Sequence, residues 1–418
     1  MSGNIIQTRG MIYDWVAKGE TLTGAHIKVL RRRRSMSSRL FDPAHIKQMV
    51  LRNRFVRSAT YDHSADRGFV TETQLKLAAD LAAGGVGLII TGITYTHPSG
   101  QMNPLQSSLA GDEFIPGCKK LVDTVHERGA KVAVQLVHAG REHALRYKDE
   151  QALAPSAIED DPYYPGGGYR AMTGAEIWEI IDSFGDAARR AREAGFDAVQ
   201  VHGAHAYLVS QFLSPCTNRR TDEWGGSLEN RLRFPREIYR NIRGKVGTDY
   251  PLLIKLGVQD GFSGGLEFSE GKEAALQLAR EGYDALEISQ GLRGKPWEET
   301  EWRTKVNKLE QEAYFGAWAA EVKKEVSVPV MMVGGLRTFA LLDEVIEKGR
   351  ADFVSLCRPF IREPDLINIW AGGNLRKARC ISCNKCLEAM RNGESLHCPV
   401  EKAERARRSI PPSGPSLR

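Results

Sequence analysis

Two histidines and a tyrosine, His202, His205 and Tyr207, stand within six residues directly after the apolar run Ala198-Val199-Gln200-Val201. Two donors and a phenol at the C-terminal end of a buried strand make a candidate catalytic constellation. Residues three apart on a regular strand point to opposite faces. Both imidazoles therefore serve one site only if the chain bends on leaving the strand, and Gly203 and Ala204 are small enough to permit that. The bland alternative, histidines satisfied in a core, is disfavoured by three polar rings in so short a span. Zinc ligation is a further alternative. The helical HExxH spacing is absent and no acidic residue follows in a ligand-like position, so no metal is expected here.

Other residues carry chemistry of their own. Lys255 interrupts Leu253-Ile254-Lys255-Leu256, and a cation inside an apolar strand is costly unless paired or placed at a site. Its alternative is an ammonium that snorkels to a strand end. Gly334 and Gly335 follow Val330 to Val333, and Cys357 and Arg358 follow Phe353 to Leu356. Backbone N–H groups at glycines and the guanidinium fork both suit a phosphate. Cys380, Cys383, Cys386 and Cys398 cluster late in the chain and offer four thiolates for zinc or an iron–sulfur cluster. A remnant carrying free thiols is the preferred reading of that run.

The elements that position these residues follow a repeat: amphipathic helix, glycine, short link, β-branched strand. It recurs at Gly85, Gly129, Gly195, Gly282 and Gly349, each suited to the left-handed residue that ends a helix. Thr71 with Gln74 and Thr173 with Glu176 have capping-box spacing. Adding the strands at Phe55-Val56, Leu252 to Leu256 and Val330 to Val333 gives eight, with helices between them. Eight such units predict an α/β fold, a (β/α)8 TIM barrel forming one domain over residues 38–375. The absence of GxGxxG after the first strand argues against a doubly wound sheet.

Residues 1–37, with Arg31 to Arg34, read as a disordered N-terminal extension, because Asp14 and Glu20 weaken a targeting reading. Residues 376–402 form a short cysteine-rich C-terminal segment. Residues 403–418, with Pro411, Pro412 and Pro415, read as a disordered tail. The 418 residues carry a net charge of +6 with 52 acidic residues interspersed, which gives no reason to expect nucleic acid. No run of eighteen apolar residues predicts a membrane span. The uneven cysteines point to a reducing compartment, so a cytoplasmic location is expected.

The blocks Asn53 to Thr60, Gln135 to Arg141, His202 to Arg231, Gly334-Gly335 and Ala351 to Arg358 occur in an order that resembles the Old Yellow Enzyme family. These are FMN-dependent NADH:flavin oxidoreductases, or ene-reductases. The resemblance implies FMN as cofactor and NAD(P)H as co-substrate. It implies ping-pong reduction of the C=C bond of a small α,β-unsaturated carbonyl compound, by a homo-oligomer. It places Ser58, Ala59, Thr60, Gly92 and Ile93 against the flavin and Gln135 on its pyrimidine edge. Lys255 faces the ring's N1 and O2 region, and Gly334, Gly335, Cys357 and Arg358 lie at its phosphate. His202 and His205 would bind the substrate carbonyl, and Tyr207 would be the general acid. The His–His pair is similar to the thermophilic-like or bacterial branch, but Tyr61 stands where that branch has a cysteine beside the flavin. His63 likewise stands where a tyrosine is common. The late cysteine run resembles the iron–sulfur ligands of 2,4-dienoyl-CoA reductase relatives. An enzyme of that kind, and a flavin-binding redox sensor or carrier acting through those cysteines, are the alternative functions.

Overall fold

A computed structural model describes residues 38–145, 151–159, 161, 167–294 and 300–409. Eight parallel strands close into a barrel: β1 Phe55–Arg57, β2 Leu88–Tyr95, β3 Lys131–Val137 and β4 Ala198–Gly203, followed by β5 Leu252–Gly257, β6 Ala285–Ser289, β7 Val330–Met332 and β8 Phe353–Leu356. Pairing runs in chain order, and β8 pairs with β1 to complete the ring. Every strand expected from the sequence is present.

The crossover helices are α1 Glu72–Ala83, α2 Ile115–His126, α3 Gly174–Glu193, α4 Leu228–Val246, α5 Phe268–Glu281, α6 Gly316–Lys323 and α7 Phe339–Glu347. In α3, Ile177, Ile180, Ile181 and Phe184 recur at helical spacing and face the barrel, buried. Its start is fixed as the Thr173-x-x-Glu176 spacing predicts. Thr173 Oγ1 accepts from Glu176 N at 3.2 Å, and Glu176 Oε2 accepts from Thr173 N at 2.8 Å. Such a cap contributes about 1 kcal/mol.

Inside the barrel, Val56, Leu88, Ala133, Ala198, Leu253, Ala285, Met331 and Phe353 supply one apolar layer, each from a different strand. An antiparallel hairpin, Ala44–Ile46 with Met49–Leu51, plugs that end by packing Ala44, Ile46, Met49 and Leu51 against the layer. The hairpin went unread in the sequence because its apolar stretches are only three residues long. With the N-terminal end sealed by side chains, the open end is the C-terminal one, where barrel enzymes keep their sites.

After β8 the chain returns across this open end. Helix α8, Lys385–Arg391, lies in the cysteine-rich segment, and helix α9, Pro399–Ser409, begins there and runs past its end. Residues 403–409, expected in a disordered tail, continue α9 instead. Arg362 and Arg379 pair with Glu404, and Arg405 bonds Glu401 one turn away at 3.0 Å. Charge pairing thus holds a helix that lacks an apolar stripe. Residues 1–37 and 410–418 lie outside the described residues. Among the described residues, no helix is long and apolar enough to cross a membrane.

Candidate active site

A cavity of about 370 Å³ opens at the C-terminal end of the strands. Ser58, Ala59, Thr60, Ile93, Gln135, His202, His205, Tyr207, Lys255, Gly334, Gly335, Cys357 and Arg358 all line it. Gly92 is the exception among the residues expected there. A register shift in the β2–β3 pairing between Ile90 and Ile93 turns it aside, and a Cβ at Gly92 would meet Thr60 O at 3.0 Å. Its glycine therefore serves the close approach of the loop after β1 rather than the cavity.

Strand register assembles the floor. Lys255 is level with His202 on β4 and with Glu287 on β6, and Gln135 is level with Gln200. Lys255 Nζ donates to Ser58 Oγ at 2.9 Å, and Ser58 Oγ donates to Glu287 Oε1 at 2.7 Å. Gln200 Nε2 donates to Glu287 Oε2 at 3.0 Å, and Gln135 Nε2 donates to Gln200 Oε1 at 2.8 Å. Lys255 and Glu287 lie 3.5 Å apart and are fully enclosed. The pair answers the cost of a buried cation, so Lys255 does not snorkel away. Sequence reasoning missed Glu287 and Gln200, whose signal was the same as that of Lys255: a polar residue inside an apolar strand.

The bend that brings the imidazoles together is made by left-handed backbone at His205 (φ 59°) and Ala206 (φ 65°), not by Gly203 and Ala204. Two adjacent non-glycine residues in that region are costly and mark a functional turn. Backbone bonds hold it: His205 N donates to Gln290 O at 3.1 Å and Ala206 N to Gly291 O at 3.2 Å. The result stacks the rings edge to face, His202 to His205 at 5.0 Å and His202 to Tyr207 at 4.8 Å between centroids.

The two imidazoles are not equivalent. His202 Nδ1 accepts a long bond from Ala204 N at 3.4 Å, which leaves its proton on Nε2. His205 Nε2 bonds Ser289 Oγ at 2.8 Å, and its Nδ1 faces Glu301 Oε1 at 3.9 Å. Burial, with Lys255 nearby, holds both histidines well below the usual imidazole range, so both are neutral at pH 7. Burial likewise pushes the Tyr207 phenol up, so it keeps its proton.

Further residues line the cavity, among them Tyr61, which the sequence already singled out. Met102 and Tyr61 form one wall, and Tyr61 Oη donates to Asn103 Oδ1 at 2.6 Å. Arg293, Glu142, Glu301 and Trp302 form another, and α8 adds Leu387 and Met390. Asn384 Oδ1 accepts from Arg358 at 2.6 Å and so ties the phosphate-end arginine to the cysteine segment. The four cysteines converge: Cys380, Cys383, Cys386 and Cys398 line one small pocket that shares Arg358, Asn384 and Cys386 with the main cavity. Among the described residues, no three of His, Cys, Asp or Glu stand close enough to share a single metal ion as they sit.

Residues 39–373 match the family model described as NADH:flavin oxidoreductase / NADH oxidase. The chain belongs to this family. It is 37% identical to an NADH oxidase of Thermoanaerobacter brockii over 82% of its own length and 52% of that protein's. It is 34% identical to an NADPH dehydrogenase of Halalkalibacterium halodurans, over 79% and 93% respectively. A 2-naphthoyl-CoA reductase structure aligns with TM-score 0.78 and 30% identity, over 88% of this chain and 58% of that one. The chain thus spans about half the length of one group of relatives and nearly all of another. The Old Yellow Enzyme assignment and the barrel expected from the sequence both hold.

FMN is the cofactor of this family, and the cavity fits it. Ser355 Oγ, buried on a residue that lines the cavity, lacks a hydrogen-bond partner in the protein. Such an atom suits a polar group of a ligand. Gly334 (φ 120°) and Gly335 (φ 71°) stand where a Cβ would crowd Tyr314, so only glycine leaves the backbone N–H groups approachable. Arg337, Arg358 and Lys255 supply positive charge at the two ends of the cavity.

Proposed function

We propose that the protein is an FMN-dependent oxidoreductase that uses NAD(P)H to reduce the C=C bond of α,β-unsaturated carbonyl compounds by a ping-pong route. The observation that carries this reading is the convergence of a proton-bearing His202 Nε2, a protonated Tyr207 and a buried Lys255 on one cavity. FMN, when bound, supplies the hydride carrier between NAD(P)H and the alkene.

Ser58, Ala59, Thr60, Ile93 and Gln135 would hold the ring; one amide hydrogen of Gln135 is used on Gln200, which leaves its carbonyl and second hydrogen for the ring's edge. Gly334, Gly335, Cys357 and Arg358 would hold the phosphate, Cys357 through its backbone. Lys255 keeps a positive charge under the floor, where arriving negative charge is offset. His202 donates to the carbonyl oxygen of the enone, where charge develops as the β-carbon takes hydride. Tyr207 gives its proton to the α-carbon, and water restores it. His205 supports this arrangement chiefly through its ring contact with His202. Over a turnover NAD(P)H and one proton are consumed, and NAD(P)⁺ and the saturated carbonyl leave.

The test is an anaerobic visible spectrum taken before NADPH, after it, and after cyclohexenone. Flavin bands that bleach and then return support the reading. A protein that cannot be reconstituted with FMN, or bands that never return, would overturn it.

The shared wall between the cysteine pocket and the cavity supports a second reading, a 2,4-dienoyl-CoA reductase-like enzyme in which Cys380, Cys383, Cys386 and Cys398 would hold a thiolate-bound cluster that would supply electrons. Four thiols, the right kind of donor, line that pocket, although as they sit no three of them stand close enough to share one ion. Burial pushes the Cys386 thiol up to about 12, so loading would release protons. Anaerobic purification with iron and sulfide analysis decides it: about four of each per chain supports a cluster, and none supports free thiols.

A further inference from the structure

Glu287 on β6 and Gln200 on β4 are fully buried and stand outside the cavity lining to which Ser58, Gln135 and Lys255 belong. They meet across the barrel interior, on the two strands that flank β5. Glu287 is ion-paired with Lys255, and a carboxylate can only accept hydrogen bonds. Its Oε1 accepts from Ser58 Oγ at 2.7 Å and its Oε2 from Gln200 Nε2 at 3.0 Å. The one O–H of Ser58 is thereby used, so the Ser58 oxygen accepts from Lys255 Nζ at 2.9 Å. Gln200, with its NH2 turned to the carboxylate, presents its carbonyl on the other side. That oxygen accepts from Gln135 Nε2 at 2.8 Å. Turning either amide over would set acceptor against acceptor or donor against donor in a buried site, which is costly.

We propose that Glu287, acting through Gln200, is the positioning residue that sets which way the Gln135 amide faces the flavin. The inference rests on the placement of Gln135 against the ring's pyrimidine edge made above. That edge carries one N–H between two carbonyls. With one amide hydrogen committed to Gln200, Gln135 offers its oxygen and its second N–H side by side, which match the ring N–H and one neighbouring carbonyl together. The same amide turned over would set N–H against N–H and oxygen against oxygen. One carboxylate therefore fixes the sense of a relay whose far end lies two side chains away, before any ligand arrives. Strand register builds the relay, since Gln135 is level with Gln200 and Lys255 is level with Glu287.

The test loads the full chain with FMN carrying a nitrogen label at the pyrimidine N–H, whose proton signal moves upfield when its hydrogen bond weakens. Affinity for FMN is read by fluorescence quenching on the same variants. Gln200→Met keeps the side-chain length and leaves Glu287 paired with Lys255. It should move the signal upfield and raise the Kd for FMN about tenfold, the worth of roughly one hydrogen bond. Glu287→Gln gives the far end a donor as well as an acceptor, so the sense is no longer fixed and the signal should move too. Exchanging the pair, Gln200→Glu with Glu287→Gln, puts an acceptor-only group beside Gln135 again at unchanged volume. That double variant should return the wild-type signal and a Kd within about threefold, a rescue that a purely structural loss would not show. An unmoved signal in Gln200→Met, or a double variant as poor as Glu287→Gln alone, would overturn the proposal. Should a Glu287 variant fail to fold, Gln200→Met decides by itself. An unmoved signal in Gln135→Leu would instead overturn the placement of Gln135 on which the inference rests.

Discussion

At the scale of single residues, the chemistry depends on small differences between similar side chains. His202 and His205 are both buried and neutral, yet one has its proton on the nitrogen facing the cavity while the other is held by Ser289 and faces Glu301. His202→Ala should lower kcat/KM for cyclohexenone on the order of a hundredfold, as loss of one oxyanion donor does. His205→Ala should cost under about tenfold, and stopped-flow rates of the alkene step compare the two directly. Because burial holds both imidazoles below their ordinary range, kcat/KM should show no histidine limb on the acid side between about pH 6 and 8. Tyr207→Phe removes the proton donor but not a contact with NADPH. It should slow the alkene step at least about a hundredfold while bleaching by NADPH proceeds. A variant that reduces cyclohexenone at the wild-type rate would remove Tyr207 from the mechanism.

At the scale of elements, the loops after β2 and β3 are joined by a buried histidine. His138 Nδ1 accepts from Gly140 N at 3.0 Å and its Nε2 meets Ser99 Oγ at 3.0 Å, so the ring is useful only when neutral. Burial, with His97 and His143 adding repulsion, drives its pKa from 6.5 down to about 3. A folded value below the unfolded one means that the unfolded chain takes up a proton first as pH falls. The stability is whole above about pH 6.5 and is lost progressively toward about pH 3. The loss from this site is on the order of 2 kcal/mol at pH 5. His138→Gln should therefore show a smaller drop in Tm between pH 7 and pH 5 than the wild type, whatever its Tm at pH 7. A parallel drop in both proteins would contradict the assignment.

At the scale of the molecule, the cavity is closed by a segment that is not part of the barrel. Residues 376–409 bond back to it through Ala378 N to Arg337 O at 3.0 Å and Leu396 N to Asp62 O at 2.9 Å. They also line the cavity with Leu387, Met390 and Leu396. A chain cut after residue 375 should keep the far-ultraviolet spectrum of the barrel but lose FMN on gel filtration, because the wall beside Arg358 is gone. Retention of full flavin by the shortened chain would show that the segment serves the cysteines alone.

The strands, their order and the helix caps were legible in the amino-acid sequence, because apolar periodicity and Thr173-x-x-Glu176 are local signals read over a few residues. So was Lys255, since a cation in an apolar strand is conspicuous on its own. Its partner Glu287 became a partner only through the register of β5 and β6, and Gln200 joined the same network only through closure of the barrel. The bend at His205-Ala206, the turning aside of Gly92 and the seat of Arg293 between Glu142 and Glu301 likewise depend on residues tens to more than a hundred positions apart. Sequence periodicity determines which face of an element is buried. Which polar groups then meet on that face is decided by packing, where a buried charge must find whatever partner the fold brings within a few ångströms.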